Sequence, residues 1–440
     1  MMVERIGRAV ALTLALLCSG GAWAGPVIES WDTPNGARVL FVGARELPMV
    51  DVRVVFDAGA ARDGGRHGLA TLTNATLSDG AGAWDADRLA ERLDAVGAEL
   101  GLGARRDMAW VSMRSLSEAR PFEVAMESLE AVLARPRFAA ADLERNRKAM
   151  LIALRQSEQN PGAIAKKAFW GAVYGAHPYA RDGAGERDSL AAITRDEVLA
   201  FHRRFYVARN AVVAIVGDLE RGAAEALAER LTRDLPEGAP APALPGVAAL
   251  ERSDQRHRQF PSTQSHIYMG QPGMHRGDPD YFTLYVGNHI FGGSGLVSLL
   301  SNEVREQRGL SYSVYSYFAP MREDGPFIMA AQTQNAKAGE ARRVMRAALE
   351  AYIENGPTEE QLREAKQNIT GGFPLNIASN GKIVEYLAMI GFYGLPLDYL
   401  DAFTGRIEAV TREQIREAFR RRVRPERFVT VVVGDGAAAD

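Results

Sequence analysis

Residues 194–218 read TRDEVLAFHRRFYVARNAVVAIVGD, and residues 411–435, 217 positions later, read TREQIREAFRRRVRPERFVTVVVGD. The two stretches align over 25 positions without a gap. Each begins with a Thr that is followed three residues later by Glu or Gln, the capping box that satisfies free N–H groups at the start of a helix. Each ends in a β-branched run and Gly-Asp, which predicts a buried strand and its turn. The repeat therefore predicts a duplicated α/β unit.

The segment between the two copies predicts a domain boundary. Residues 235–246 (LPEGAPAPALPG) contain four prolines among twelve residues, which is typical of a semi-extended connector. We therefore predict an N-terminal α+β domain over residues 25–235, a Pro-rich linker over 236–248 and a C-terminal α+β domain over 249–440.

Strands and helices interleave in the first half. Residues 37–42 and 50–56 have strand-like patterns and follow each other closely, which predicts an initial hairpin. Helical patterns follow at 66–80, 85–97, 121–134 and 140–158. The α+β fold class follows, with mainly antiparallel sheets covered by helices.

The composition excludes several classes of protein. The 440 residues are 47% hydrophobic and 24% charged, as in ordinary globular proteins, with a net charge of −3. Without a basic excess, the chain is a poor candidate for nucleic acid or for a polybasic membrane contact.

The first 24 residues predict a cleaved secretory signal peptide. Basic residues precede a nine-residue apolar run at 9–17, and small residues precede a cleavage point after Ala24. The run is shorter than the ~20 residues that span a bilayer, so stable membrane insertion is disfavoured. A lipoprotein is the other alternative, but Leu17 stands before Cys18 where a small residue is needed. The expected location is the periplasm.

The chain resembles the pitrilysin/insulinase family of zinc peptidases, also called inverzincins, through most of its length. The motifs that carry this resemblance are Pro34-Asn35-Gly36, Ala58-Gly59, Gly68-Leu69-Ala70, His177-Pro178-Tyr179, Phe291-Gly292-Gly293-Ser294-Gly295 and the stretch from Arg305 to Ser313. The resemblance implies two homologous α+β domains that form half of a clam-shell chamber, which another such pair closes.

The same resemblance places the family's zinc motif, His-x-x-Glu-His, in the first helix. Aligned on Gly68-Leu69-Ala70, the three positions hold Thr71, Asn74 and Ala75. A hydroxyl, an amide and a methyl group cannot replace two imidazoles and a carboxylate. The family's third ligand is a Glu on a later helix, but residues 149–156 contain no acidic side chain. We therefore expect no metal and no cofactor in this chain.

The histidines do not supply another zinc site. His67 lies near the same helix, where a lone His is more often a surface or capping group. None of the seven histidines is three or four residues from another, so no helical metal-binding pair is expected elsewhere.

Arg305 and Tyr312 match the Arg and Tyr with which the family's second domain reaches the scissile region of the substrate. A guanidinium offers several donors to peptide carbonyls, and a phenol can donate to an oxygen on which negative charge develops. The alternative is that Arg305 lies on a solvated helix face and Tyr312 fills a strand position.

Gly292, Gly293, Ser294 and Gly295 form a glycine-rich run. The run lacks the Gly-Lys-Ser/Thr of a P-loop, so nucleotide binding is disfavoured. It is either a close-approach turn or, as the resemblance implies, a loop that touches the peptide, as in the noncatalytic partner of mitochondrial processing peptidase. The aromatic side chains of residues 312–318 either line a peptide groove or pack in the sheet.

Together these features predict a noncatalytic, substrate-binding subunit of a heterodimeric periplasmic zinc metallopeptidase. A zinc-bearing paralogous subunit would be the partner and would hold the zinc, and unfolded peptides would be the substrates. The alternative is a purely structural or peptide-binding scaffold protein with no role in proteolysis. An autonomous Ser or Cys hydrolase is disfavoured, because no Cys survives cleavage and no Gly-x-Ser-x-Gly elbow occurs in a strand-turn-helix setting.

Overall fold

The computed structural model describes residues 25–435, so the predicted signal peptide at 1–24 lies outside the described residues. The strands are β1 (Glu29–Asp32), β2 (Arg38–Gly43), β3 (Met49–Phe56), β4 (Gly80–Ala81), β5 (Trp84–Asp85), β6 (Glu99–Ala104), β7 (Ala109–Leu116), β8 (Ala211–Gly217), β9 (Asp254–Gln259), β10 (Gln264–Met274), β11 (Ser311–Phe318), β12 (Gly325–Gln334) and β13 (Val429–Gly434). The α-helices are α1 (Leu69–Thr76), α2 (Ala86–Asp94), α3 (Ala119–Ala134), α4 (Ala140–Ser157), α5 (Pro161–Tyr174), α6 (Arg187–Ala192), α7 (Arg195–Phe205), α8 (Arg221–Arg233), α9 (Tyr281–Asn288), α10 (Leu299–Ser301), α11 (Ala338–Asn355), α12 (Glu359–Asn376), α13 (Asn380–Tyr393), α14 (Tyr399–Glu408) and α15 (Arg412–Arg422).

The two halves of the chain contain sheets of the same topology. The first sheet has the order β1-β2-β8-β3-β7-β6, and the second has the order β11-β12-β10-β13-β9. The strands β2-β8-β3-β7-β6 correspond one by one to β9-β13-β10-β12-β11. In each sheet one pair is parallel, β2 with β8 and β13 with β9, and the other pairs are antiparallel. The predicted fold class, two homologous and mainly antiparallel α+β units, is confirmed.

The repeated stretch forms the elements that its sequence predicts. Thr194 caps α7 and Thr411 caps α15, and both capping boxes are complete. The strands that follow, β8 and β13, lie inside their sheets, and every residue of β8 is buried. The four helical patterns of the first half correspond to α1, α2, α3 and α4.

The predicted initial hairpin is wrong, because β2 and β3 are not neighbours. Strand β8 lies between them, parallel to β2 and antiparallel to β3. The continuous apolar run of β8 needs burial on both faces, which the centre of the sheet provides. The hairpin that does form joins β1 and β2 through the turn at residues 34–36.

The two halves exchange a helix. Helix α5 of the first half packs on β10 and β13 of the second sheet, and α13 of the second half packs on β3 and β8 of the first sheet. Leu40 and Val216 of the first sheet share a core with Leu387 of α13. Gly391 permits this packing, because a Cβ there would lie 2.7 Å from Leu40 Cδ1. Each sheet is thus covered on one face by helices of its own half and on the other by a helix of the other half.

The segment between the halves, residues 236–253, has no helix or strand. It is nevertheless docked, because Leu244 is buried in a core cluster with side chains of α5 and β13. The His177 ring also holds it: Nδ1 accepts a hydrogen bond from Tyr179 N, which leaves Nε2 to donate to Pro245 O at 2.8 Å. Among the described helices, none has the length and hydropathy needed to cross a bilayer.

Candidate functional site

The start of α1 is fixed by a buried carboxyl group. Asp63 accepts hydrogen bonds from Gly68 N and Ala70 N, both at 2.7 Å, and so caps the first turn. Gly68 has a φ of 100°, a left-handed conformation that favours glycine. Burial raises the pKa of the Asp63 carboxyl to about 7, although the two N–H groups act to lower it. The Gly68-Leu69-Ala70 motif therefore positions α1.

The three positions aligned with the zinc motif are occupied by side chains of the core. Asn74 is buried, and its Nδ2 donates to Trp110 O at 3.2 Å and to the hydroxyl of Tyr206 at 3.3 Å. Thr71 Oγ1 is buried without a hydrogen-bond partner and lies against Gly183, where a Cβ would collide with it. Ala75 is half-buried and has only a methyl group. These groups do not fit a zinc ion, because they offer a neutral hydroxyl, a neutral amide and a methyl group where zinc is held by imidazole, thiolate or carboxylate ligands.

Helix α4 packs against α1, as a helix carrying a third ligand would have to do. The contacts are structural: Asn146 Nδ2 donates to Thr76 Oγ1 at 3.1 Å and also bonds Asp79. Beyond Asn146, the half of α4 over residues 149–156 presents no carboxylate. The contact between α1 and α4 is therefore built from neutral side chains and Asp79, and the positions aligned with the zinc motif contribute no imidazole or carboxylate to it.

Among the described residues, one group of side chains has the spacing of metal ligands: His275, Asp278 and Asp324. It lies in the second half, away from α1. Asp278 is already ion-paired with Arg422, and His275 is exposed. The positive charge of Arg422, which is bound to the carboxylate of Asp278, would repel a metal cation at the same place. We therefore assign no metal to this group.

Arg305 and Tyr312 are brought together at the edge of the second sheet. Arg305 lies in a π-helical turn, Asn302–Glu306, and its Cζ is 5.5 Å from the centre of the Tyr312 ring. Tyr312 occupies a β-bulge: Ser311 and Ser313 pair with successive residues of β12, and Tyr312 pairs with neither. The bulge turns its side chain outward, and 83% of Tyr312 is exposed.

The glycine-rich run lies against the same strand. A Cβ on Gly292 would come within 2.8 Å of Ser316 N, so this position is a close approach. Asn288 holds the two segments together, donating to Ser316 O at 3.0 Å and accepting from Ser316 Oγ at 2.7 Å. Beyond Ser294 the chain turns outward through Gly295, and Leu296 and Val297 are 61% and 85% exposed. The run is therefore anchored at one end and presents apolar side chains at the other.

The aromatic residues of β11 divide between surface and interior. Tyr312 is exposed, whereas Tyr317 and Phe318 are half-buried and line a cavity of about 310 Å³ together with Gly293. Arg305 and Tyr312 line none of the four cavities described.

One residue that the sequence did not single out, Asp107, joins the two halves. Its buried carboxyl group accepts hydrogen bonds from Tyr179 Oη at 2.5 Å, from Tyr393 Oη at 2.9 Å and from Arg322 N at 2.8 Å. Tyr179 belongs to the His177-Pro178-Tyr179 motif, so that motif holds both the linker and the contact between the halves. Asp107 could be missed because it stands in a polar turn between β6 and β7, where an Asp is ordinary.

Comparisons with known proteins agree with this architecture. The family profile described as Insulinase (Peptidase family M16) matches residues 38–185, and the profile described as Peptidase M16 inactive domain matches residues 192–369. A crystal structure of a peptidase M16 inactive domain from Pseudomonas fluorescens is 39% identical, covers 94% of this chain and 99% of that chain, and superimposes with a TM-score of 0.91.

Two curated relatives span nearly the same length. An uncharacterised zinc protease of Streptomyces coelicolor is 27% identical over 430 residues, covering 94% of this chain and 90% of that protein. The non-peptidase homolog YmxG of Helicobacter pylori is 24% identical over 375 residues, covering 84% of this chain and 85% of that protein. The relatives thus include proteins named as proteases and one named as a non-peptidase.

Proposed function

Because this chain belongs to the insulinase (M16) peptidase family, we propose that it is a noncatalytic, substrate-binding subunit of a heterodimeric periplasmic zinc metallopeptidase. The partner is a paralogous subunit that carries the complete zinc motif. The substrates are unfolded peptides. The M16 inactive-domain match and the non-peptidase relative support the noncatalytic part of this proposal.

The observation that carries the proposal is the contrast between α1 and β11. At α1, the positions of the zinc motif hold Thr71, Asn74 and Ala75, and Asn74 is part of the hydrogen-bonded core. At β11, the guanidinium of Arg305 and the phenol of Tyr312 are displayed side by side on the surface. Groups that can orient a peptide carbonyl are thus present on β11, and the three aligned positions of α1 hold no group that can activate water.

The position of Tyr312 outside every described cavity of this chain fits a site that is completed by another polypeptide. Strand β11 is an edge strand, so its outer N–H and C=O groups can pair with an added peptide strand. Such a peptide would run past the phenol of Tyr312. Leu296 and Val297 would pack at the closing face, since exposed apolar side chains of this size mark interaction surfaces when they cluster.

The test is to produce this chain together with a zinc-motif paralogue and to measure zinc content and peptide hydrolysis for each chain alone and for the mixture. We expect zinc in the paralogue, and hydrolysis only in the mixture. Arg305→Ala and Tyr312→Phe should lower kcat of the mixed dimer at least tenfold while the two chains still copurify. Arg233→Ala, on the exposed end of α8, is the matched control. Hydrolysis by the paralogue alone at the rate of the mixture would refute the proposal.

The second candidate, a structural or peptide-binding scaffold, is favoured by the exposed apolar side chains of the glycine-rich segment, which suit docking without any chemistry. It predicts that Arg305→Ala leaves any associated peptidase activity intact. The periplasmic location is tested separately by cell fractionation, with cleavage after Ala24 read by mass spectrometry.

A further inference from the structure

The largest of the four described cavities lies between the two halves of the chain and measures about 640 Å³. It is bounded by the turn between β6 and β7, by residues 182–183, by residues 318–321 and by α13. Sites for small ligands and peptide ends typically occupy 300–1,000 Å³ and often form where two domains meet. The cavity is therefore of a suitable size and place for a ligand.

Four arginines line this cavity: Arg53, Arg105, Arg106 and Arg276. Arg53 is ion-paired with Glu385 at 2.8 Å. The other three form no ion pair with a carboxylate in the part of the chain that the structure describes. Three guanidinium groups that make no ion pair around one cavity are the donors that an anionic ligand needs.

The geometry of these arginines leaves donors available. Arg106 uses its Nε for the carbonyl oxygens of Tyr179 and Arg181, both at 3.1 Å, and its Cζ lies 3.5 Å from the centre of the Trp170 ring. Its terminal nitrogens have no partner among the described residues. Arg276 donates from Nη1 to the Tyr281 hydroxyl at 3.3 Å, and its buried Nε has no hydrogen-bond partner. A buried donor without a partner costs free energy that a ligand oxygen would recover.

The charged side chains that line the cavity leave an excess of one positive charge. Against the four arginines stand three carboxylates, those of Asp107, Asp182 and Glu385. Asp107 is occupied by its three donors and Glu385 by Arg53. Asp182 acts on Arg106 through its charge but makes no ion pair with it, so the positive charge of one guanidinium group remains without compensation. A single added carboxylate balances the lining.

The rest of the lining is mainly apolar, and a second cavity lies beside this one. Met321 and Met389 line the large cavity, while Phe318 and Arg276 line both this cavity and the neighbouring one of about 310 Å³. The neighbouring cavity reaches Gly293 of the glycine-rich run. Because they share lining residues, the two cavities are adjacent, and together they extend from a cationic, partly apolar end to the segment beside β11.

We propose that the cavity between the halves binds the C-terminal carboxylate of a peptide whose last side chain is apolar, with the preceding residues extending toward Gly293. Arg276 and Arg106 hold the carboxylate, and the methionines and Phe318 enclose the side chain. This deepens the proposed function, since it names the end of the peptide that this subunit holds. A small or lipid-derived carboxylate has the same head group but no peptide backbone, and it is the alternative occupant that the titration distinguishes.

The experiment is calorimetric titration of the isolated chain, residues 25–440, with three probes: a hexapeptide ending in Leu with a free carboxylate, the same peptide as its C-terminal amide, and decanoate. We expect the free acid to bind at least tenfold more tightly than the amide and than decanoate, and its affinity to fall with added salt. Equal affinity for acid and amide, no binding of the acid at millimolar concentration, or tighter binding of decanoate would overturn the proposal.

Variants assign the site. Arg276→Gln should weaken binding of the acid at least tenfold, and Arg105→Gln, at an exposed position where folding is not at risk, should also weaken it. Arg233→Gln, at an exposed position on α8 that does not line the cavity, should leave the affinity unchanged. Equal effects of all three substitutions on the affinity would refute the assignment. The titration needs no partner subunit, so its failure is distinguishable from a failure of the mixed-dimer hydrolysis assay.

Discussion

Removal of the Asp107 carboxyl group should loosen the contact between the two halves of the protein. The group is only 3% exposed and accepts three hydrogen bonds, one from its own half (Tyr179) and two from the other half (Tyr393 and the backbone of Arg322). A hydrogen bond to a charged group contributes about 1.5–3 kcal/mol, and an unpaired buried donor carries its own penalty. Since the neighbouring cavity admits water to some of the freed donors, we expect Asp107→Ala to lower the free energy of unfolding by about 4 kcal/mol.

Asp107→Asn should cost less, about 1–2 kcal/mol, because its remaining oxygen can still face Tyr393 and Arg322 while the amide points toward the Tyr179 hydroxyl. The assay is urea denaturation followed by tryptophan fluorescence and by far-ultraviolet circular dichroism. In the parent protein the two signals should change together, and in Asp107→Ala they should separate as the halves unfold independently.

Asp94→Ala, at an exposed position at the end of α2, is the matched control and should change stability by less than about 0.5 kcal/mol. A loss of less than about 1 kcal/mol in Asp107→Ala, with the two signals still coincident, would show that the hydrogen bonds to Asp107 do not couple the halves.

Three further outcomes follow from the structure. Burial lowers the pKa of His202 to about 4, so this group alone should contribute a loss of about 3 kcal/mol of stability as the pH falls from about 6.5 to about 4. Asp63, whose pKa burial raises to about 7, contributes in the opposite sense over the same range, so the contribution of His202 is read from the difference between the denaturation curves of the parent and of His202→Gln, while exposed His257→Gln should follow the parent. Gly292→Ala should lower the free energy of unfolding by about 1–3 kcal/mol, because the added Cβ would collide with Ser316. Gly371→Ala, in a helix with open space around it, should raise the free energy of unfolding by about 0.5–1 kcal/mol. Thermal melts in which both substitutions shift stability in the same direction would contradict this. The isolated chain, dialysed against zinc and then buffer, should retain far less than one zinc per chain by atomic absorption, and a stoichiometric content would disprove the assignment of α1 as a site without ligands.

Local features of the fold could be predicted from the sequence because they depend on near neighbours. The capping boxes at Thr194 and Thr411 are set by side chains three residues apart, and the helices of the first half follow from a period that needs no knowledge of the rest of the chain. The repeat also predicted that the fold is duplicated, because the same local signals recur in the same order. The residues Thr71, Asn74 and Ala75 on α1 could also be read from the sequence, because their identity needs no structure.

Features that depend on distant contacts could not be predicted in this way. Strand β8 pairs with β2 across about 170 positions of sequence, and nothing in residues 37–56 shows that another strand will lie between β2 and β3. The bulge at Tyr312 depends on the register against β12, which lies 13 to 22 residues further on. The lining of the cavity between the halves comes from seven separate segments between Arg53 and Tyr393, so it could not be predicted before the chain was folded.

The exchange of helices bears on how such a protein can open to admit a peptide. Separation of the halves would uncover α13 on the first sheet and α5 on the second at the same time, and each of these faces is lined with buried apolar side chains. At roughly 25 cal/mol per Å² of apolar surface, exposing even 1,000 Å² would cost about 25 kcal/mol, more than the whole stability of a typical domain. Opening between the halves is therefore too costly to serve a binding cycle. If the chain works in the mixed dimer proposed above, the movement that admits a peptide would therefore occur at the contact with the proposed partner and not between the two halves of this chain.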